Sequence, residues 1–129
     1  MYPITTITIS ILAFIFVAIS IKTIQFRRVY KVSMGDNGHQ DLQMLIRSHG
    51  NFSEYVPITL ILLLCAEANH GQWLLVSVLA LLFVLGRVFH AYAFIFNKHH
   101  FKFRKSGMVL TFLCIILLSV LNVILLCIR

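Results

Sequence analysis

The stretch Arg47–Glu67 reads RSHGNFSEYVPITLILLLCAE, and the topology turns on whether it crosses a bilayer. A helix needs about 20 apolar residues to span the hydrocarbon core, yet only 12 residues, Tyr55–Ala66, separate Glu54 from Glu67. Either the segment is re-entrant, or it spans and carries Arg47 through Glu54 down into one leaflet. The rest of the chain favours spanning. Ile4–Ile21 is 18 residues with only Thr and Ser as polar relief. Trp73–Phe96 is interrupted by Ser77, Arg87 and His90, and Gly107–Ile128 by Thr111, Ser119 and Asn122. Three clean spans plus this one give an all-α, integral membrane four-helix bundle, a single domain over residues 1–129.

Composition agrees. Apolar residues make up 60% of the 129 and charged residues 12%, against about 25% charged in soluble domains. A water-soluble globule of this size has too much surface to hide so many apolar side chains. Three cysteines are too sparse, and odd in number, for a secreted disulfide scaffold, and the apolar excess excludes disorder. All three, Cys65, Cys114 and Cys127, fall within spans, where a buried thiol is an inert small hydrophobe. The net charge is +7, but the basic residues punctuate apolar runs instead of forming a patch on a soluble module. That distribution speaks for membrane topology and against a nucleic-acid partner.

Four spans leave three loops, with Gly35–Gln40 and Asn97–Ser106 on one side and Glu67–Gln72 on the other. Ten of the eleven Lys and Arg residues, from Lys22 to Lys105, sit in or beside the first pair, and only Arg129 lies opposite. The positive-inside rule then puts both of these loops in the cytoplasm and both termini outside. The first span is expected to remain in place, having no basic residue ahead of it and no small-residue cleavage site behind it. Asp36-Asn37-Gly38 predicts a sharp turn.

Ionisable groups in a bilayer cost roughly 2.5–3.5 kcal/mol each on insertion scales, so each needs a reason. Arg47, Asn51 and Glu54 follow i, i+4, i+7 and share a helical face, flanked by His49 and Tyr55. Arg87, His90 and Phe94 follow i, i+3, i+7 on the third span. Converging stripes make a polar pocket open to the cytosol. The same residues also suit a structural reading, in which Arg87 neutralises Glu54 while His90 and Asn51 hydrogen-bond around them. Pro57 frees a backbone carbonyl near residue 53, which either widens the pocket or only kinks the helix. Lys98, Lys102, Arg104 and Lys105, interleaved with Phe101 and Phe103, read equally as a ligand-binding cluster or as an interfacial belt snorkelling to headgroups. His99-His100 has no Cys or carboxylate at ligand spacing, so no metal is expected.

The segment from Arg47 to Pro57 resembles the second-helix signature of the MAPEG family, membrane-associated proteins in eicosanoid and glutathione metabolism: Arg, three residues, Asn, two residues, Glu, then Pro. Phe26–Val32 is similar to the basic end of that family's first helix, and Gly86-Arg87-Val-Phe-His90 to its third. The likeness runs along essentially the whole chain, and the lean loops look most like the bacterial branch. It implies a homotrimer of four-helix subunits in a bacterial inner membrane, with glutathione bound as co-substrate between subunits near the cytoplasmic face. By position, Arg47, Asn51, Glu54 and Tyr55 match glutathione-contacting residues. His49 matches a His or Gln position, Arg27 and Arg28 match first-helix arginines, and His90 stands where members carry His or Tyr.

The residue chemistry is compatible with that ligand. Arg27, Arg47 and Arg87 offer bidentate partners for its two carboxylates, and Glu54 offers one for its amine. Its thiol must ionise to attack; lowering a thiol pKa from ~8.5 by about two units requires ~2.7 kcal/mol of thiolate stabilisation. One guanidinium in a dry pocket can supply it. The resemblance places the family's activating Arg nearest Phe101 and Phe103, so the role is expected of the adjacent Arg104, with Lys102 as substitute. Phe94 replaces a Tyr found in the conjugating enzymes. The implied activity is a glutathione transferase with accessory peroxidase activity, detoxifying hydrophobic electrophiles that arrive from the bilayer. Two other classes remain open. One is a non-catalytic lipid- or glutathione-binding scaffold. The other is a small transporter or channel subunit, disfavoured because the outer half of spans two and three is almost purely apolar.

Overall fold

The computed structural model describes residues 1–95 and 101–128. These form α1 (Pro3–Tyr30), α2 (Gln40–Ala68), α3 (Trp73–Ile95) and α4 (Phe101–Cys127). At about 1.5 Å per residue, the 29 residues of α2 exceed the ~30 Å hydrocarbon core. Its apolar 12-residue stretch and its charged stripe therefore belong to one continuous helix, and the re-entrant alternative falls away. Pro57 sits inside that helix and has no N–H to offer the Ser53 carbonyl. All four helices are long and apolar enough to cross a membrane.

The fourth helix begins at Phe101, six residues before the Gly107 expected from hydropathy. Residues 101–106 are thus helix rather than loop. Lys and Arg are good helix formers whose long stems lie along apolar surface while their charges reach outward, so a basic stretch extends a span without leaving the helix.

Around the bundle the order is α1, α2, α4, α3, with α2 and α3 meeting across the diagonal and α1 and α4 making no contact among the described residues. One buried cluster joins Leu12, Ile19, Phe52, Val56, Phe83, Ala91 and Cys114. A second, toward the opposite end, joins Leu63, Ala66, Val76, Leu79, Ala80 and Leu118. Large apolar residues such as Phe14, Leu81, Ile116 and Val123 are exposed, as suits helices whose outer solvent is lipid.

Both short connections are closed by specific backbone geometry. Lys31 takes a left-handed conformation (φ 54°), and the Val32 and Lys31 N–H groups donate back to the Arg27 and Arg28 carbonyls, a Schellman closure. The Asp36–His39 turn follows, with positive φ at Asn37 and Gly38 and a 2.9 Å bond from the His39 N–H to the Asp36 carbonyl. This is the type I′ geometry that an Asn-Gly pair favours. At the other end, His70 (φ 57°) and Gly71 close α2 in the same way as Lys31 and Val32 close α1.

Glu67 makes a contact that the sequence did not announce. Its carboxylate accepts from the Ile4 N–H (3.0 Å), the Thr5 N–H (2.9 Å) and the Thr5 hydroxyl (2.7 Å). The first turn of α1 contains no acidic residue and its N-cap, Tyr2, makes no side-chain bond. An anion from the end of α2 therefore fills the cap. Farther along, the Asn122 side chain donates to the Leu62 carbonyl (2.9 Å), tying α4 to α2.

Candidate functional site

α3 and α4 come into close backbone contact at a pair of glycines. A Cβ built on Gly107 would lie 2.6 Å from the Gly86 carbonyl oxygen and 2.9 Å from the His90 backbone nitrogen, and one on Gly86 would lie 3.0 Å from Leu110 Cβ. Backbone meets backbone there, which brings His90 and Phe94 of α3 up against Arg104 and Met108 of α4. The i, i+4, i+7 stripe of α2 closes the third side. The resulting cavity, about 470 Å³, is lined by Arg47, Gly50, Asn51, Glu54, His90, Phe94, Arg104, Lys105 and Met108.

The electrostatics of this cavity are lopsided. Three cations, Arg47, Arg104 and Lys105, face one carboxylate, Glu54. Neither Arg47 nor Glu54 has a hydrogen-bond or ion-pair partner among the described residues, and both are exposed. The Arg104 guanidinium lies 4.6 Å over the Phe94 ring, which fixes it at the rim. Such a site suits a zwitterion with excess negative charge.

The remaining expected residues fall elsewhere. Arg87 is 0% exposed and does not line the cavity. It does not pair with Glu54 but donates to the Asn51 side-chain oxygen (2.9 Å). His49 and Arg27 line a separate hollow of about 240 Å³ between α1 and α2, with Ser20, Thr23, Ile24 and Ile46. The cause is helical geometry: His49 is two residues from Arg47 and from Asn51, and two residues turn a helix by about 200°. In that hollow Ser20 donates its hydroxyl to the Phe16 carbonyl, so the 3.1 Å contact between Ser20 Oγ and His49 Nε2 has His49 donating. One Arg27 nitrogen serves the Ser33 and Gly35 carbonyls of the following loop. Arg28 and Lys102 are exposed and line neither hollow. Tyr55 packs edge-on against Phe112 of α4, ring centroids 5.3 Å apart. Lys98, His99 and His100 lie outside the described residues.

Met108 and Gly50 were not anticipated as lining residues, and Lys105 only as one of a cluster of cations with two readings. Lys105 and Met108 stand at i+1 and i+4 from Arg104, a spacing informative only once α4 is known to begin at Phe101. Gly50 stands three residues after Arg47, on the face already marked by the stripe. A further apolar slot of about 290 Å³, lined by Ile9, Leu12, Ala13, Phe16, Phe52, Ser53, Val56, Pro57 and Leu60, runs between α1 and α2.

Four membrane-spanning helices with a cation-rich cavity at one end define a multi-pass integral membrane protein. The chain belongs to the MAPEG family, whose profile matches residues 5–124. It is 38% identical over 111 residues to the inner membrane protein YecN of Escherichia coli strain K12, covering 84% of this chain and 81% of the relative. The same figures hold for YecN of Escherichia coli O6:H1.

Proposed function

We propose that this protein is a glutathione-dependent transferase of the bacterial inner membrane that conjugates the glutathione thiolate to hydrophobic electrophiles dissolved in the bilayer. The observation that carries the reading is the cavity in which three cations, Arg47, Arg104 and Lys105, face the single carboxylate of Glu54. Glutathione offers two carboxylates and one ammonium, the complementary set. Arg47 and Lys105 hold carboxylates, Glu54 holds the ammonium, and Arg104 stabilises the thiolate. Lys102, exposed one turn before Lys105, adds only to the field at the cavity mouth. The family and the name of the Escherichia coli relatives support the membrane assignment.

The split of the expected residues supports a homotrimer. Arg27 and His49 sit on the α1/α2 face and Arg47, Asn51 and Glu54 on the α2/α4 face, so no single subunit gathers both sets. A neighbouring copy that lays its α1/α2 face over the cavity brings Arg27, Arg28 and His49 to the ligand. It also covers the lone Glu54 carboxylate, which is costly to leave against lipid. In the conjugation step the thiolate sulfur forms a bond to the electrophilic carbon and the leaving group departs with the bonding pair; with chloronitrobenzene that group is chloride.

Calorimetric titration of glutathione into the detergent-solubilised protein, followed by chloronitrobenzene turnover, tests the reading. Saturable binding that is lost in Arg47→Ala supports it, and absence of binding by the wild type refutes it. One observation favours a second reading, a non-catalytic glutathione- or lipid-binding scaffold: the ring beside Arg104 is Phe94, which has no hydroxyl to donate to a thiolate. Binding without a thiolate absorbance band and without turnover would select that alternative.

A further inference from the structure

The interior of the bundle holds a cation with no anion. Arg87 is 0% exposed and has no carboxylate partner among the described residues. Its Nη1 donates to Asn51 Oδ1 at 2.9 Å, its Nη2 approaches Met108 Sδ at 3.7 Å, and its guanidinium lies 5.9 Å from the centroid of Phe52. Its Nε has no hydrogen-bond partner. Burying an ion with so little compensation is costly, and an apolar side chain of similar volume would serve packing better. The arrangement calls for a reason beyond cohesion.

Arg87 can only donate. The Asn51 amide is therefore held one way round, with its oxygen toward Arg87 and its NH2 group on the cavity side. One amide hydrogen is directed at Met108 Sδ, 3.2 Å away, which leaves the other for an occupant of the cavity that Asn51 lines. Without Arg87, either end of the amide could turn toward the ligand.

We infer that Arg87 is a positioning residue that fixes the polarity of Asn51, so that this wall of the cavity presents a hydrogen-bond donor and selects a ligand carrying an acceptor there. The ligand's identity rests on the glutathione reading above; the orientation of Asn51 does not. Arg87 touches no ligand and acts only through Asn51, while Glu54, one turn on, supplies the acceptor on the same wall. The cavity thereby distinguishes the anionic from the cationic part of a zwitterion by position.

Three variants test the inference. Asn51→Asp gives the buried guanidinium the carboxylate it lacks, so resistance to unfolding in dodecyl sulfate should be at least that of wild type. The same change removes the donor from the cavity, and glutathione affinity should fall about tenfold or more. Arg87→Met leaves an apolar chain between Phe52 and Met108; the protein should stay folded while affinity falls, and Arg87→Lys, which still donates to Oδ1, should restore most of it. The amide orientation is read without ligand from the side-chain NH2 resonances of selectively labelled asparagine. Wild type and Arg87→Lys should share the Asn51 pair, and Arg87→Met should shift it.

Wild-type affinity in Asn51→Asp, or an unmoved Asn51 resonance in Arg87→Met, would overturn the inference. If wild type binds no glutathione, the functional reading falls and the resonances alone decide the orientation. If Arg87→Met does not fold, Asn51→Asp decides, because it keeps Arg87 and changes only what the cavity wall presents.

Discussion

Replacing Gly107 with Ala puts a methyl group where two backbones already touch. The new Cβ would stand 2.6 Å from the Gly86 carbonyl oxygen and 2.9 Å from the His90 nitrogen, whereas ordinary contact begins at 3.4 Å. The larger shortfall is 0.8 Å, and the obstructing atoms are helix backbone and the His90 Cβ at 2.9 Å, which the backbone holds in place. α3 and α4 must separate by a comparable distance. Overpacking of this kind costs about 1–3 kcal/mol. It also carries His90 and Phe94 away from Arg104, and a misplacement of about 1 Å in a binding constellation can cost on the order of 100-fold in rate. Gly86→Ala meets Leu110 Cβ at 3.0 Å and the Gly107 carbonyl oxygen at 3.2 Å, a smaller shortfall, and should cost less. Gly50→Ala, with nothing within 4 Å of its Cβ, should be nearly neutral for folding. Unfolding by dodecyl sulfate, followed by circular dichroism, gives the order Gly107→Ala worst, Gly86→Ala intermediate and Gly50→Ala closest to wild type. A Gly107→Ala protein as stable as Gly50→Ala would refute the packing argument.

Topology is checked by single-cysteine labelling in a background lacking Cys65, Cys114 and Cys127: a cysteine replacing Gln72 should react with an impermeant reagent outside intact cells, and one replacing Asn37 should not. Arg104→Ala should remove the thiolate absorbance band of bound glutathione, while Lys102→Ala should reduce affinity no more than a few-fold, since Lys102 lies outside the cavity wall; the opposite order would move the role to Lys102. Glu67→Ala removes three bonds from the start of α1 and should cost about 1–2 kcal/mol, the range of a lost N-cap, measured by the same unfolding assay. Unchanged stability there would mean that water serves the freed N–H groups equally well.

Lipid makes a span easy to read, because every buried backbone group must be satisfied within its own helix. Ile4–Ile21 and the run after Gly107 were legible for that reason, and the helix signature between Arg47 and Pro57 marked one wall of the cavity. The start of α4 was not, because hydropathy registers the charges of Lys102, Arg104 and Lys105 and not the apolar stems beneath them. The pairing of Arg87 with Asn51 rather than Glu54 depends on the rotation of α3 about its axis, which the closeness of Gly86 and Gly107 sets and no pattern within one helix reveals. The separation of His49 from Asn51 was available from helical angle alone. Charge and proximity along the chain suggested a single cluster, while their roughly 200° divergence puts them on opposite sides of α2.

The Glu67 carboxylate that closes the start of α1 has a consequence for biogenesis. The Ile4 and Thr5 N–H groups bond to a residue synthesised more than sixty positions later. A nascent chain that has inserted only its first helix leaves those donors to water and headgroups, and it acquires their protein acceptor only when the far end of α2 has crossed. The first two helices are thereby tied together at the membrane surface by groups that α3 and α4 do not supply. A chain truncated after Ala68 contains everything that closure needs, while one truncated before Glu67 does not.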